Sequence, residues 1–225
     1  MITLEIEITT ILFFVLFFGV IIAVIFMAPN LNKHNKEKRA LLNEKLAGTY
    51  QQARDAMASA CWSTARDLYD SIVKEDKHSW EGLFYSLICK AKCVEGQALL
   101  DTVDELNRKL DYILYLGRGT VANKEAMNGV VEEVYAACAS LADVVGKRNP
   151  EDAAALMYRL GDAVEEQLEA SFKPLSVRSW KQGIKVAGNF MQIDEKGRMP
   201  LSAKVTVKTY EKKIRKFDDT FQVPY

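Results

Sequence analysis

Residues 62–94 read WSTARDLYDSIVKEDKHSWEGLFYSLICKAKCV, and the spacing of their apolar side chains decides the fold. Trp62, Ala65, Leu68, Tyr69 and Ile72 return every three or four residues, the interval that lines up side chains along one face of a helix. Lys74-Glu75-Asp76-Lys77-His78 then interrupts the pattern as a polar turn. Ser79 follows with a hydroxyl suited to capping a helix start, and Leu83, Leu87, Ile88, Ala91 and Val94 mark a second apolar face. Two helices joined by so short a turn lie side by side and antiparallel, so the stretch predicts a helical hairpin.

The same periodicity extends outward in both directions. Before the hairpin, Leu42, Leu46, Tyr50, Ala53 and Met57 define a helix that breaks around Ser59–Ala60. After it, Leu99, Val103, Leu106, Leu110 and Ile113 define one from about Ala98 to Leu116, with Gly117-Arg118-Gly119 read as its end. Asn123 is placed to cap a fifth helix carrying Met127, Val130, Val134, Cys138, Leu141 and Val145, and Gly146 stops it. Asn149-Pro150-Glu151-Asp152 supplies a capping amide, a proline whose missing N–H is harmless in a first turn, and acids at the positive helix end. Met157, Leu160, Val164, Leu168 and Phe172 continue that sixth helix as far as Pro174. Val177, Trp180, Ile184, Ala187 and Met191 form a seventh, before the loop of residues 194–200.

The last segment supports two readings. Leu201, Val205, Tyr210, Ile214, Phe217 and Phe221 suit a helix, while Ala203, Val205, Val207 and Thr209 alternate with polar residues as a strand does. Helix is preferred, because an isolated strand has nothing to pair with. The expected fold class is therefore all-α, with a helical-hairpin domain over residues 41–192 and a basic C-terminal tail over 193–225.

Trp62, Ala65, Tyr69 and Ile72, followed by a polar turn and by Trp80, Leu83 and Phe84, resemble the tetratricopeptide repeat over residues 46–94, about one and a half repeats. The resemblance implies a helical array with a concave face for a protein or peptide partner, and an adaptor rather than a catalyst. On it, Trp62, Tyr69, Trp80 and Phe84 are the candidate groove residues. An unrelated bundle of helical hairpins would give the same periodicity.

A different segment supplies an address. Ile11–Ala28, ILFFVLFFGVIIAVIFMA, runs 18 residues without a charged, amide or hydroxyl side chain. As a helix it reaches about 27 Å, close to the thickness of a bilayer core. It is apolar on every side, unlike a helix lying on a soluble core. Ile11, Phe14, Phe18, Ile22 and Phe26 are thus assigned to a single transmembrane helix over 11–28, between a short segment 1–10 and a basic juxtamembrane linker 29–40. A cleaved signal would need basic residues before the run and a small-x-small site after it, and neither is present. Lys33, Lys36, Lys38, Arg39 and Lys45 follow the span and no cation precedes it, so the domain is expected on the cytoplasmic side.

The chain has 30 basic and 30 acidic side chains, unevenly spread: residues 1–170 hold 18 against 25, and residues 171–225 hold 12 against 5. Lys196, Arg198, Lys204, Lys208, Lys212, Lys213, Arg215 and Lys216 are opposed over that stretch only by Glu211. Lys204, Lys208, Lys212, Lys213, Arg215 and Lys216 are the candidate contacts to an anionic surface, a lipid leaflet in the first place; a solvated helix face paired with the acidic body is the preferred reading of the same residues. Nucleic acid is disfavoured by the membrane address and the lack of a recognised reading module.

No constellation of residues points to catalysis, a metal or a cofactor, and none is expected. Cys61, Cys89, Cys93 and Cys138 sit among apolar residues and read as reduced core thiols. Cys89 and Cys93 are one helical turn apart, yet a closed zinc site needs four ligands and His34 and His78 are the only histidines. Gly117-Arg118-Gly119-Thr120 lacks the strand and the Gly-Lys-Ser/Thr of a phosphate loop. Glu132-Glu133 and Glu165-Glu166 read as solvated surface. The function expected from sequence is a membrane-anchored adaptor or scaffold, with an anionic-lipid or nucleic-acid binding module as the alternative.

Overall fold

The computed structural model describes residues 41–42, 44–190 and 198–225. The expected span at 11–28, the segment 1–10 and the linker 29–40 lie outside these. Among the described residues the regular structure is helical throughout, without a strand. No described helix is long and apolar enough to cross a membrane. The chain divides after Gly48 into two units, of which the second, residues 49–225, is compact. Residues 41–42 and 44–48 of the first are helical.

The second unit opens on helix α1, residues 49–58. Its end is fixed by backbone geometry. Cys61 N–H donates to Ala56 C=O at 2.8 Å and Ala60 N–H to Met57 C=O at 2.9 Å, the paired closure of a Schellman turn. Ala60 sits at the left-handed position of that turn, at φ 55°. Alanine is strained there and glycine is not, so Ala60→Gly is expected to raise stability by about 1 kcal/mol in urea unfolding.

Helices α2 (Trp62–Glu75) and α3 (Trp80–Cys93) form the hairpin. The Ser79 hydroxyl accepts from Gly82 N–H at 2.8 Å, as its position predicts, and lies 2.6 Å from the Tyr50 hydroxyl of α1. Helix α4 spans Gly96–Thr120, α5 Lys124–Val145 and α6 Pro150–Gln167. A 3-10 turn, Ala170–Phe172, leads into α7 (Lys173–Ala187), and α8 covers Leu201–Arg215. The Asn123 side chain caps α5 through Ala126 N–H at 2.9 Å. Asn149, by contrast, makes no side-chain cap, and the start of α6 rests on Pro150, Glu151 and Asp152.

Two boundaries and one helix face depart from the sequence reading. Gly117 does not end α4, which continues to Thr120. Its role is close approach: a Cβ there would lie 3.3 Å from Val130 Cγ1 of α5. Pro174 does not end α6 but sits in the first turn of α7, where its fixed φ and missing N–H cost nothing. The last segment is a helix, yet its buried side chains are Ala203, Val207 and Ile214, leaving Leu201 and Val205 outside.

Packing is local along the chain. Helix α2 packs on α3, α3 on α4 and α5, α4 on α5 and α6, α5 on α6 and α7, α6 on α7, and α7 on α8. At the α6–α7 crossing each helix offers a glycine notch to the other's aromatic ring. A Cβ on Gly161 would lie 2.4 Å from Trp180 Cδ1 and Nε1, and one on Gly183 would lie 2.5 Å from Tyr158 Cδ1 and Cε1. Trp180 is fully buried by this arrangement. Tyr158 in turn stacks on Tyr210 of α8, ring centres 4.0 Å apart and planes 6° from parallel.

Candidate functional site

Helix α8 carries most of the cations singled out in the sequence, and its packing sorts them into two groups. Ala203, Val207 and Ile214 face the body at helical spacing. Asp162 of α6 then fixes the helix by its polar groups. The carboxylate accepts from Trp180 Nε1 at 3.0 Å, from the Tyr210 hydroxyl at 2.6 Å and from Lys213 Nζ at 2.7 Å. Burial, together with the Asp162 carboxylate, pushes the Tyr210 hydroxyl well above its ordinary pKa, so it stays a donor. Lys213 also lies 5.0 Å from the centre of the Trp180 ring and 3.8 Å from Glu165.

Lys213 is thus a structural cation. Arg215 is engaged as well, with Glu211 at 2.9 Å and the Phe221 carbonyl at 3.0 Å. Lys204, Lys208, Lys212 and Lys216 are exposed, and their ammonium groups make no hydrogen bond or ion pair with the described residues. The C-terminal segment after α8 folds back on α7, where the Tyr225 hydroxyl donates to Ile184 C=O at 2.7 Å and Lys181 pairs with Asp218 at 2.7 Å. Residues 198–225 accordingly belong to the same compact unit as α2–α7.

The aromatic groove residues are not brought to one surface. Tyr69 and Phe84 are fully buried, so they serve the core of the α2–α3 hairpin and cannot contact a partner. The hairpin closes over them because Tyr69 stacks on Tyr85 at 5.4 Å and Phe84 meets Tyr85 edge-on at 5.0 Å. Trp62 is half-buried, with Lys92 Nζ 5.9 Å from its ring centre. Trp80 is half-buried as well, and its ring is among the nearest groups to Gly117 of α4.

Two aromatics that the sequence reading passed over are exposed instead. Tyr112 and Tyr115 of α4 stand 43% and 59% exposed, with ring centres 6.5 Å apart and planes 18° from parallel. The Tyr112 hydroxyl lies 3.2 Å from His78 Nδ1, in the turn that leads into Trp80. Their signal was legible: a tyrosine pair three residues apart, out of phase with the apolar stripe of Leu106, Leu110 and Ile113.

All four cysteines are free; Cys89 and Cys138 are buried, whereas Cys61 and Cys93 are exposed, contrary to their reading as core thiols. Burial raises the pKa of Cys89 and of Cys138 to about 12. Alkylation near neutral pH is therefore expected to modify Cys61 and Cys93 and to spare Cys89 and Cys138 until the domain unfolds, as read by mass spectrometry. Among the described residues no group of three or more His, Cys, Asp or Glu side chains is placed to hold a metal ion. Of the paired glutamates, Glu132, Glu133 and Glu166 are exposed, as expected, and Glu165 is half-buried. Glu132 accepts from Arg178 at 2.8 Å, Glu133 accepts from the half-buried Tyr85 hydroxyl, and Glu165 lies near Lys213.

No protein-family model matches the chain, and no curated protein or solved structure matches it either.

Proposed function

We propose that the chain is a membrane-anchored helical-repeat adaptor, holding a protein or peptide partner at the cytoplasmic membrane surface. The observation that carries this reading is the exposed, stacked Tyr112–Tyr115 pair on a helical array. Stacked tyrosines offer a large, stiff and amphipathic contact area at small entropic cost, the property that makes tyrosine frequent at binding hot spots.

The array itself fits the role. Every substantial helix packing joins helices adjacent in order or next but one, as in repeat proteins whose stability is built from neighbour contacts. The longer-range polar links obey the same limit: Arg54 of α1 with Glu81 of α3, Arg159 of α6 with Asp111 of α4, and Arg178 of α7 with Glu132 of α5. Such an array keeps long helix faces open to a partner. The anchor rests on the apolar run Ile11–Ala28, and the cytoplasmic side on the cations that follow it.

Crosslinking in membranes from cells that express the full chain, followed by recovery through a C-terminal tag, tests the reading. A discrete partner is expected, and Tyr112→Ala with Tyr115→Ala is expected to lower its recovery about tenfold without changing thermal stability. Recovery of the same partner by the double variant at the wild-type level would contradict it.

A further inference from the structure

We propose that the outward face of α8 is a docking surface for an anionic lipid leaflet. At 3.6 residues per turn, Leu201, Lys204, Val205, Lys208, Lys212 and Lys216 fall within an arc of about 120°, opposite Ala203, Val207 and Ile214. The four lysines have no partner among the described residues, while the two other cations of the helix, Lys213 and Arg215, are bound to carboxylates. Helix α8 therefore holds four cations in one row and supplies no counter-charge to any of them.

Two further features select lipid over other anionic partners. Leu201 is 78% and Val205 58% exposed, and both stand within the lysine row. An apolar side chain among lysines suits the boundary between headgroups and acyl chains, where long lysine stems let the ammonium reach phosphate while leucine and valine enter the apolar layer. A nucleic-acid surface would instead offer stacking rings or a free arginine fork; Arg215, which falls in the same arc, has its guanidinium held by Glu211 and the Phe221 carbonyl. Beside the row lies a cavity of about 360 Å³, with Val207, Val223 and Tyr225 on its walls and Arg198, Lys204 and Lys208 among its lining. Glu211 also borders that cavity, where it is paired with Arg215. Such a cavity accepts the apolar part of a lipid whose anionic head rests on the two lysines.

This surface goes beyond the adaptor reading. The tyrosine pair on α4 can hold a partner whether or not α8 touches lipid, and the lipid contact concerns residues 201–216 alone.

The test uses the full chain in vesicles. A polarity-sensitive fluorophore is attached at Val205→Cys in a Cys61→Ser and Cys93→Ser background, so that the exposed thiol at 205 takes the label. Phosphatidylcholine vesicles containing phosphatidylglycerol are expected to shift its emission to the blue, whereas pure phosphatidylcholine vesicles leave it unchanged. The shift is expected to reverse in about 1 M salt, where screening shortens to about 3 Å. Each lysine changed to glutamine is expected to lower the docked-to-free ratio about fivefold, so the K204Q/K208Q/K212Q/K216Q variant does not dock. Retained protection of Cys89 and Cys138 from alkylation shows that these variants are folded. Equal emission in both vesicle types, or undiminished docking by the four-glutamine variant, would overturn the proposal. So would a shift produced by RNA without vesicles and missing with anionic ones.

Discussion

Gly161→Ala is expected to destabilise the domain by about 2–3 kcal/mol, which for a chain of this size lowers the melting temperature by roughly 5–10 °C. The added methyl would lie 2.4 Å from Trp180 Cδ1 and Nε1 and 2.9 Å from the Ser176 carbonyl oxygen. Neither neighbour can yield cheaply. Trp180 is fully buried and its Nε1 is held by Asp162, and the Ser176 oxygen belongs to the backbone of α7. To admit the methyl, α6 and α7 must separate and give up the interlock of Gly161 with Trp180 and Gly183 with Tyr158. Gly129 of α5 is the control. A Cβ there meets nothing within 4 Å, so Gly129→Ala is expected to stabilise by about 0.5–1 kcal/mol through helix propensity alone. Equal effects of the two substitutions in thermal or urea unfolding would show that the crossing is not packed as described.

The second large effect is expected at Asp162. Its side chain is 16% exposed and accepts three hydrogen bonds, from the Trp180 indole, the Tyr210 hydroxyl and the Lys213 ammonium. Asp162→Ala leaves three donors facing a half-buried gap, one of them charged, at an expected loss of about 2–4 kcal/mol. Asp162→Asn, which keeps an acceptor and loses the charge, is expected to fall between wild type and alanine. The damage should be directional. Lys213 and Tyr210 belong to α8, so limited proteolysis is expected to cut the C-terminal segment of the alanine variant while α2–α6 remain protected. Glu132→Ala removes a far more exposed ion pair with Arg178 and is expected to cost less than about 0.5 kcal/mol. Similar losses at Asp162 and Glu132 would contradict the assigned role of Asp162.

The features that sequence revealed and those it hid differ in the range of the forces that set them. The α2–α3 hairpin, the Ser79 and Asn123 caps, and the start of α6 at Pro150 are decided within a few residues, so side-chain spacing and capping chemistry were enough. Gly117 and Pro174 misled because each has two uses. Glycine ends helices but also lets them approach closely, and proline stops a helix but also starts one. Only the positions of Val130 and of the 3-10 turn after α6 tell the uses apart.

The face of α8 was misread for a related reason. Leu201, Val205, Tyr210 and Ile214 look like one apolar stripe, but the body recruits Ala203, Val207, Tyr210 and Ile214. The choice depends on Asp162, which lies 48 residues before Tyr210 and 51 before Lys213. That same choice divides the basic residues into structural and outward groups, a division invisible in the run of lysines. The repeat pattern of the sequence assigns Tyr69 and Phe84 to the groove. Burial reserves them for the core, and the exposed aromatic pair falls on α4 instead.

The most direct test of the account is the protease sensitivity of a tag placed after Tyr225 in cells expressing the full chain, compared before and after the membrane is opened with detergent. With residues 11–28 as the span and the cations on the inner side, the tag should stay with the membrane fraction through alkaline extraction and be digested only after opening. Digestion in intact cells, or release of the full chain into the soluble fraction without detergent, would contradict the anchored cytoplasmic adaptor.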